Sequence, residues 1–225
     1  MSTIPERVYR KRLSRSGVPI KYLAMRLEDW EPYDEKSARA KKDAQVFIDM
    51  FPKLLAPADD GEIYKNVGRG IALVGDPGAG KTTLGCAILR EIHQRYEKRV
   101  MFRAFADYIA MLQEQMSLQR AFETGDPQAS ERWWEIHRIK AAIFNVPFLW
   151  MDDVGKEYRT GSGFAEGEFD RLLRWRFRNA LPTGLSTNIP LEKWGKTYNP
   201  SMGSFVHEAF HAISMGGRDL RNARV

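Results

Sequence analysis

Gly75-Asp76-Pro77-Gly78-Ala79-Gly80-Lys81-Thr82 forms a complete G-x-x-x-x-G-K-[ST] run, with Thr83 directly after it. Glycines at these positions let the backbone bend tightly and turn several N–H groups toward phosphate oxygens. A helix starting at this point adds the partial positive charge of its N-terminus. Lys81 is placed to reach β- and γ-phosphates, and the Thr82 hydroxyl to ligate Mg²⁺. The preceding apolar stretch 70–74 reads as a buried strand and 82–90 as the first turns of a helix, which is the setting the motif's mechanism requires. Binding of a nucleoside triphosphate with Mg²⁺ is the expectation on which the other readings depend.

A second group of residues complements the loop. The apolar run Val146-Pro147-Phe148-Leu149-Trp150-Met151 ends in Asp152-Asp153, 71 residues beyond Lys81. Acids at the C-terminal end of a buried strand stand where open α/β sheets carry out ligand chemistry. Asp152 can hold Mg²⁺, and Asp153 can orient or deprotonate an attacking water, which favours hydrolysis over transfer to a small-molecule acceptor. A strand predicted over 183–187 ends at Asn188, whose amide can position that water near the γ-phosphate. A competing pattern, His207-Glu208-Ala209-Phe210-His211, satisfies H-E-x-x-H, in which two histidines one helical turn apart hold zinc. After His211 the chain has no further histidine, glutamate or cysteine, and only Asp219 is left as a third ligand. An amphipathic final helix is therefore the expected role of this segment.

The elements that must position these groups form an alternating series. A helix is expected from Lys36 to Leu55. The phosphate-loop strand and helix come next, then a strand at 100–103, a helix at 106–120, a turn at 123–130 and a helix at 131–142 carrying Trp133 and Trp134 as packing residues. Phe169 to Arg178 reads as an arginine-rich helix with Arg171, Arg174 and Arg178 near one face, available to DNA, to a neighbouring subunit or to solvent. This order predicts a three-layer α/β/α P-loop domain with a mostly parallel sheet over 66–225, preceded by a linker and helix at 21–65 and a basic arm at 1–20.

With 43% hydrophobic and 28% charged residues among 225, and no apolar run near the roughly 18 residues needed to span a bilayer, a cytoplasmic protein without a membrane partner is expected. The single cysteine, Cys86, excludes an internal disulfide or a zinc–cysteine cluster. The net charge is +6, and the stretch from Arg7 to Arg26 holds seven cations, including Arg10, Lys11 and Arg12, with no acid. Such a segment is attracted to nucleic-acid phosphates, or serves as a solvated arm or a dock for an acidic protein surface.

Four segments taken in order resemble the DnaC/IstB group of AAA+ ATPases: Gly75 to Thr82, Leu149-Trp150-Met151-Asp152-Asp153-Val154-Gly155, Leu181 to Asn188, and Gly217-Arg218-Asp219-Leu220-Arg221. Arg15-Ser16-Gly17-Val18-Pro19 with Tyr22 and Leu27-Glu28-Asp29-Trp30 is similar to the linker that precedes the core in DnaC-type helicase loaders. The likeness covers about residues 15–225. It implies an ATPase that binds single-stranded DNA and delivers a hexameric replicative helicase onto it; the related alternatives are a transposition helper acting with a transposase, and an ATP-binding DNA adaptor without turnover. Lys81, Asp152, Asp153 and Asn188 then carry hydrolysis, and Arg221 matches an arginine sensing the γ-phosphate. Arg103, Phe105 and Tyr108 lie where such proteins present a DNA-contacting element, although a core role accounts equally well for Phe105. An ATP-dependent homo-oligomer is also implied. Residues 189–217 contain no arginine to reach a neighbour's ATP, so the expectation is either weaker ATP-driven assembly or recruitment of Arg174, Arg176 or Arg178 instead.

Overall fold

Short strands alternating with amphipathic stretches build a sheet covered on both faces by helices. The computed structural model describes residues 5–55, 66–155 and 163–216. The strands are β1 (Gly70–Val74), β2 (Val100–Ala104), β3 (Phe148–Val154), β4 (Thr183–Thr187) and β5 (Phe210–Ser214). Their order is β2-β3-β4-β1-β5, and every pairing is parallel. Parallel neighbours require crossover connections, which the helices supply. The order also places β4, with Asn188 beyond its tip, between the strand leading into the phosphate loop and the strand ending in the two acids.

The inner strands are buried on both faces, and β1 and most of β3 read as continuous apolar runs, whereas the edge strand β5 leaves His211, Ala212 and Ser214 exposed. Ile71, Leu73, Phe148 and Trp150 pack with α2 (Glu35–Leu55) and α3 (Lys81–Tyr96) in one core. Ala72, Leu149, Met151 and Leu185 face the other core, which contains α4 (Phe105–Glu123), α5 (Pro127–Asn145), α6 (Phe164–Arg178) and the short helices α7 (Trp194–Thr197) and α8 (Pro200–Ala209). This is the expected α/β/α layering. No described helix is long and apolar enough to cross a membrane.

Three local expectations change. The segment read as an arm is a docked helix, α1 (Glu6–Arg15), with Tyr9 and Leu13 buried and Glu6 accepting a 2.6 Å bond from Arg90. The turn expected at 123–130 is much shorter, because Asp126 caps α5 by accepting from the Ala129 N–H and Pro127 occupies the first helical position. The final helix is also shorter than expected. It stops at Ala209, where the chain becomes extended at Phe210 and enters the sheet as β5. His207 therefore lies at the end of α8 and His211 within β5, so the two histidines do not share a helical face and the zinc-peptidase geometry is absent. Among the described residues no group of three or more histidine, cysteine, aspartate or glutamate side chains could hold a metal ion.

Candidate nucleotide site

The phosphate loop leaves β1 and enters α3 through Gly78 and Gly80, both at positive φ (84° and 80°) where a side chain would be strained. Gly80 caps α3 without a side-chain bond, so the first-turn N–H groups and the helix dipole face the loop as an anion cradle. Lys81 is only 5% exposed and folds over this cradle. Its ammonium donates to the Gly75 carbonyl at 2.7 Å, the Asp76 carbonyl at 2.8 Å and Asn188 Oδ1 at 2.7 Å. Among the described residues, these neutral acceptors hold the charge at the place where a phosphate would take it over. Thr82 and Thr83 are half-buried on the first turn.

Asp152 comes to the loop from β3. Its Oδ2 accepts from Thr82 Oγ1 at 2.9 Å, joining the two groups expected to hold Mg²⁺ across 70 residues. Its Oδ1 accepts from Ser186 Oγ at 2.6 Å and from Trp150 Nε1 at 3.4 Å. Burial pushes the Asp152 carboxyl above the usual carboxylate range; the Ser186 bond opposes this and the Asp153 charge adds to it. A buried carboxylate and a hydroxyl beside a lysine-bearing loop form a hard oxygen set, which suits Mg²⁺ completed by phosphate oxygens and water.

Asp153 stands at an irregularity in the β3–β4 ladder, where the register shifts between Met151 and Val154. Its φ is +57°, a left-handed conformation uncommon outside glycine, asparagine and aspartate. Its N–H donates to Ser186 Oγ at 2.8 Å. The irregularity interrupts the alternation of the strand at Asp153. Asn188 is held at the tip of β4, where Thr187 Oγ1 donates to the Val154 carbonyl and accepts from the Ile189 N–H.

Three residues not singled out in the sequence support this arrangement. Ser186 bonds to both members of the acid pair. The Trp150 indole is fully buried between Gly85 and Gly184, where an added Cβ would lie 2.2 Å from the ring on either side. Tyr33 arrives from the linker, with its hydroxyl 3.0 Å from the Ala79 carbonyl and 3.1 Å from that of Gly216, so it ties the linker to the loop. Local pattern marks none of them, because their partners are distant in sequence.

Other expected residues fall elsewhere. Phe105 and Tyr108 are 0% and 1% exposed, packed in the α4–α6 core, and so are corrected from base-stacking to packing residues. Arg103 is half-buried and donates to its neighbour's carbonyl, that of Phe102. Arg10, Lys11 and Arg12 are exposed on α1, with Arg10 paired to Glu6. Arg176 cannot reach a neighbouring subunit. It is fully buried and donates to the carbonyls of Ile143, Phe144, Val146 and Pro182 and to Thr183 Oγ1, stapling α6 to the ends of α5 and β4. Arg174 pairs with Asp170 and contacts Ser201, while Arg178 stays exposed. Arg221 lies outside the described residues. Trp133 stacks on Phe122 and His137, and Trp134 is half exposed.

No family model and no curated protein matches this sequence. Solved structures do. The DnaC helicase loader superposes with a TM-score of 0.64 at 20% identity, covering 88% of this chain and 100% of that one. A putative primosome component from Streptococcus pyogenes serotype M3 gives 0.62 at 17%, covering 92% and 96%. The replication initiator DnaA bound to AMPPCP and single-stranded DNA gives 0.60 at 15%, covering 89% of this chain and 51% of that one. At these identities the likeness shows the fold that this chain shares with those proteins.

Proposed function

We propose that this chain is an ATP-hydrolysing helicase loader of the DnaC type, acting on single-stranded DNA in replication. The observation that carries the ATPase reading is the convergence of Lys81, Thr82, Asp152, Asp153 and Asn188 at the C-terminal ends of β1, β3 and β4. The loader reading is supported by likeness to the DnaC helicase loader over that chain's whole length.

On this reading ATP phosphates enter the cradle at the start of α3, and Lys81 moves from its carbonyl and amide acceptors to the β- and γ-phosphates. Thr82 and Asp152 would hold Mg²⁺, which supplies charge neutralisation of the phosphates. Asp153 takes a proton from the attacking water, and Asn188, released by Lys81, donates its amide N–H groups near the γ-phosphate. The coupling of Lys81 to Asn188 makes the β4 tip sensitive to whether a γ-phosphate is present. A ligand shifts such an equilibrium only by its differential affinity for the two states, so hydrolysis would act as a timer for release.

Native mass spectrometry of the protein with the host's hexameric replicative helicase, with and without ATP, tests the reading. A defined, nucleotide-sensitive complex is expected, and it should be lost in Lys81→Ala. No complex under either condition overturns the loader assignment, and a transposase becomes the next partner to try.

A further inference from the structure

The parallel sheet places the nucleotide site at one end of its strands, and a cationic groove lies at the other. This groove, about 430 Å³, runs along the start of the edge strand β2, between α1 and the C-terminal end of α5. Arg12, Arg15 and Arg99 form its rim, and Val100 and Val146 are part of its floor. One carboxylate, Glu97, lines it against the three guanidinium groups. All three arginines are exposed, and among the described residues none has a side-chain hydrogen bond or a carboxylate partner. Other exposed arginines of this protein do find partners, as Arg10 does in Glu6 and Arg132 in Glu114 and Glu135.

The rim is held in place. Helix α1 is anchored by Glu6 on the buried Arg90, whose other amino group donates to the Leu23 carbonyl, and by Tyr9, which sets its ring edge-on to His93 at 5.6 Å. The Ser16 carbonyl accepts from the Phe102 N–H and joins the end of the helix to the edge of β2 at 2.8 Å. Burial of Tyr9 and Leu13 leaves Arg7, Lys11 and Arg15 outward at successive i, i+4 positions. This line is about 12 Å long at 1.5 Å per residue, with Arg12 and Arg99 beside it. A row of unpaired cations of that length suits the repeated phosphates of a polymer better than a single anion.

We propose that this groove, together with the outward face of α1, is the track for single-stranded nucleic acid, at the end of the sheet remote from the nucleotide. The proposal deepens the DNA-binding part of the function above and moves that role from Phe105 and Tyr108, which are buried, to Arg12, Arg15 and Arg99. Because the track shares no residue with the phosphate loop, its contacts form whether or not Lys81 is intact.

The test is fluorescence anisotropy of a labelled single-stranded oligonucleotide over a salt series. It compares the wild type with the triple variant Arg12→Gln, Arg15→Gln, Arg99→Gln and with a control triple on α2, Lys36→Gln, Arg39→Gln, Lys42→Gln, which removes the same charge. Single strands lose a slope of about 0.7 per phosphate contact, so the groove variant should lower the log–log salt slope by about 2. If the two lines meet near 1 M salt, that slope corresponds to about 100-fold weaker binding at 0.1 M. The control should change far less, and thermal melting should show all variants folded. Equal losses in the two triples would reduce the effect to net charge and overturn the groove. Displacement of the oligonucleotide by a polyglutamate of equal charge as readily as by unlabelled DNA would overturn the nucleic-acid assignment. Failure of the wild type to bind DNA would remove the track, while the nucleotide-sensitive helicase complex would still stand or fall on its own measurement.

Discussion

Replacing Ser186 by alanine tests whether the acid pair is positioned as the geometry indicates. The side chain is fully buried on β4, and its hydroxyl donates to Asp152 Oδ1 at 2.6 Å while accepting the Asp153 N–H at 2.8 Å. Alanine removes both bonds and leaves no cavity larger than an oxygen. A hydrogen bond to a charged group contributes about 1.5–3 kcal/mol, and this one holds Asp152 with its other oxygen toward Thr82. The lost acceptor also frees the backbone at Asp153, whose left-handed φ of +57° then relaxes at less cost. If the first contribution appears wholly in the transition state, kcat for ATP falls about 10- to 150-fold. The loop and Lys81 are untouched, so affinity for a fluorescent ATP analogue in the absence of metal should stay within about twofold of the wild type, equivalent to under ~0.5 kcal/mol. Losing a donor that favours the carboxylate should also raise the Asp152 pKa further and shift the Mg²⁺ dependence of turnover to higher pH. Steady-state phosphate release, measured over Mg²⁺ and pH, separates these effects. Wild-type kcat with an unchanged Mg²⁺ and pH profile would refute the positioning argument, whereas absence of turnover in the wild type would refute the ATPase reading itself.

Further outcomes follow from other contacts. Lys81→Ala should abolish ATP binding in calorimetry while circular dichroism stays native, since the loop backbone is set by its glycines and by the Gly75 N–H to Thr187 carbonyl bond. Arg176→Met should cost about 1–3 kcal/mol in denaturant unfolding, because four carbonyls and the Thr183 hydroxyl lose a buried donor; Arg176→Lys should recover little, since an ammonium cannot reproduce the fork. Mg²⁺-dependent nucleotide binding should weaken as pH falls toward the raised Asp152 pKa, above the ordinary 3.8, because ligation needs the carboxylate. The apo fold has the opposite dependence: the folded state takes up this proton at a higher pH than the unfolded chain, so the cost of burying ionised Asp152 is relieved on acidification. Asp152→Asn should remove both dependences. Zinc should not bind stoichiometrically in calorimetry, given that His207 ends α8 while His211 lies in β5.

Residues adjacent in the chain made much of this protein legible before any coordinates. The phosphate loop is one continuous run whose glycines, lysine and threonine do their work locally, and the apolar runs leading into it and into Asp152-Asp153 follow from the burial of both faces of a parallel sheet. The α/β/α layering follows from the alternation of those runs with amphipathic helices. The basic charge near the N-terminus was equally plain.

Contacts between distant segments required the folded chain. Glu6 and Arg90 are 84 residues apart, so composition read an arm where a helix is docked. Arg174, Arg176 and Arg178 were all candidates to reach a neighbour's ATP, yet Arg176 turns into the interior, where the ends of α5 and β4 present their carbonyls. Phe105 and Tyr108 have the chemistry of a stacking platform, and only the packing of α4 against Phe169 and its neighbours commits them to the core. The H-E-x-x-H pattern assumes a continuous helix, which the pairing of Phe210–Ser214 with β1 interrupts. Spacing in sequence reports a shared face only while one regular element persists; where an element ends, and what meets it there, is decided by burial and hydrogen bonding across the whole sheet.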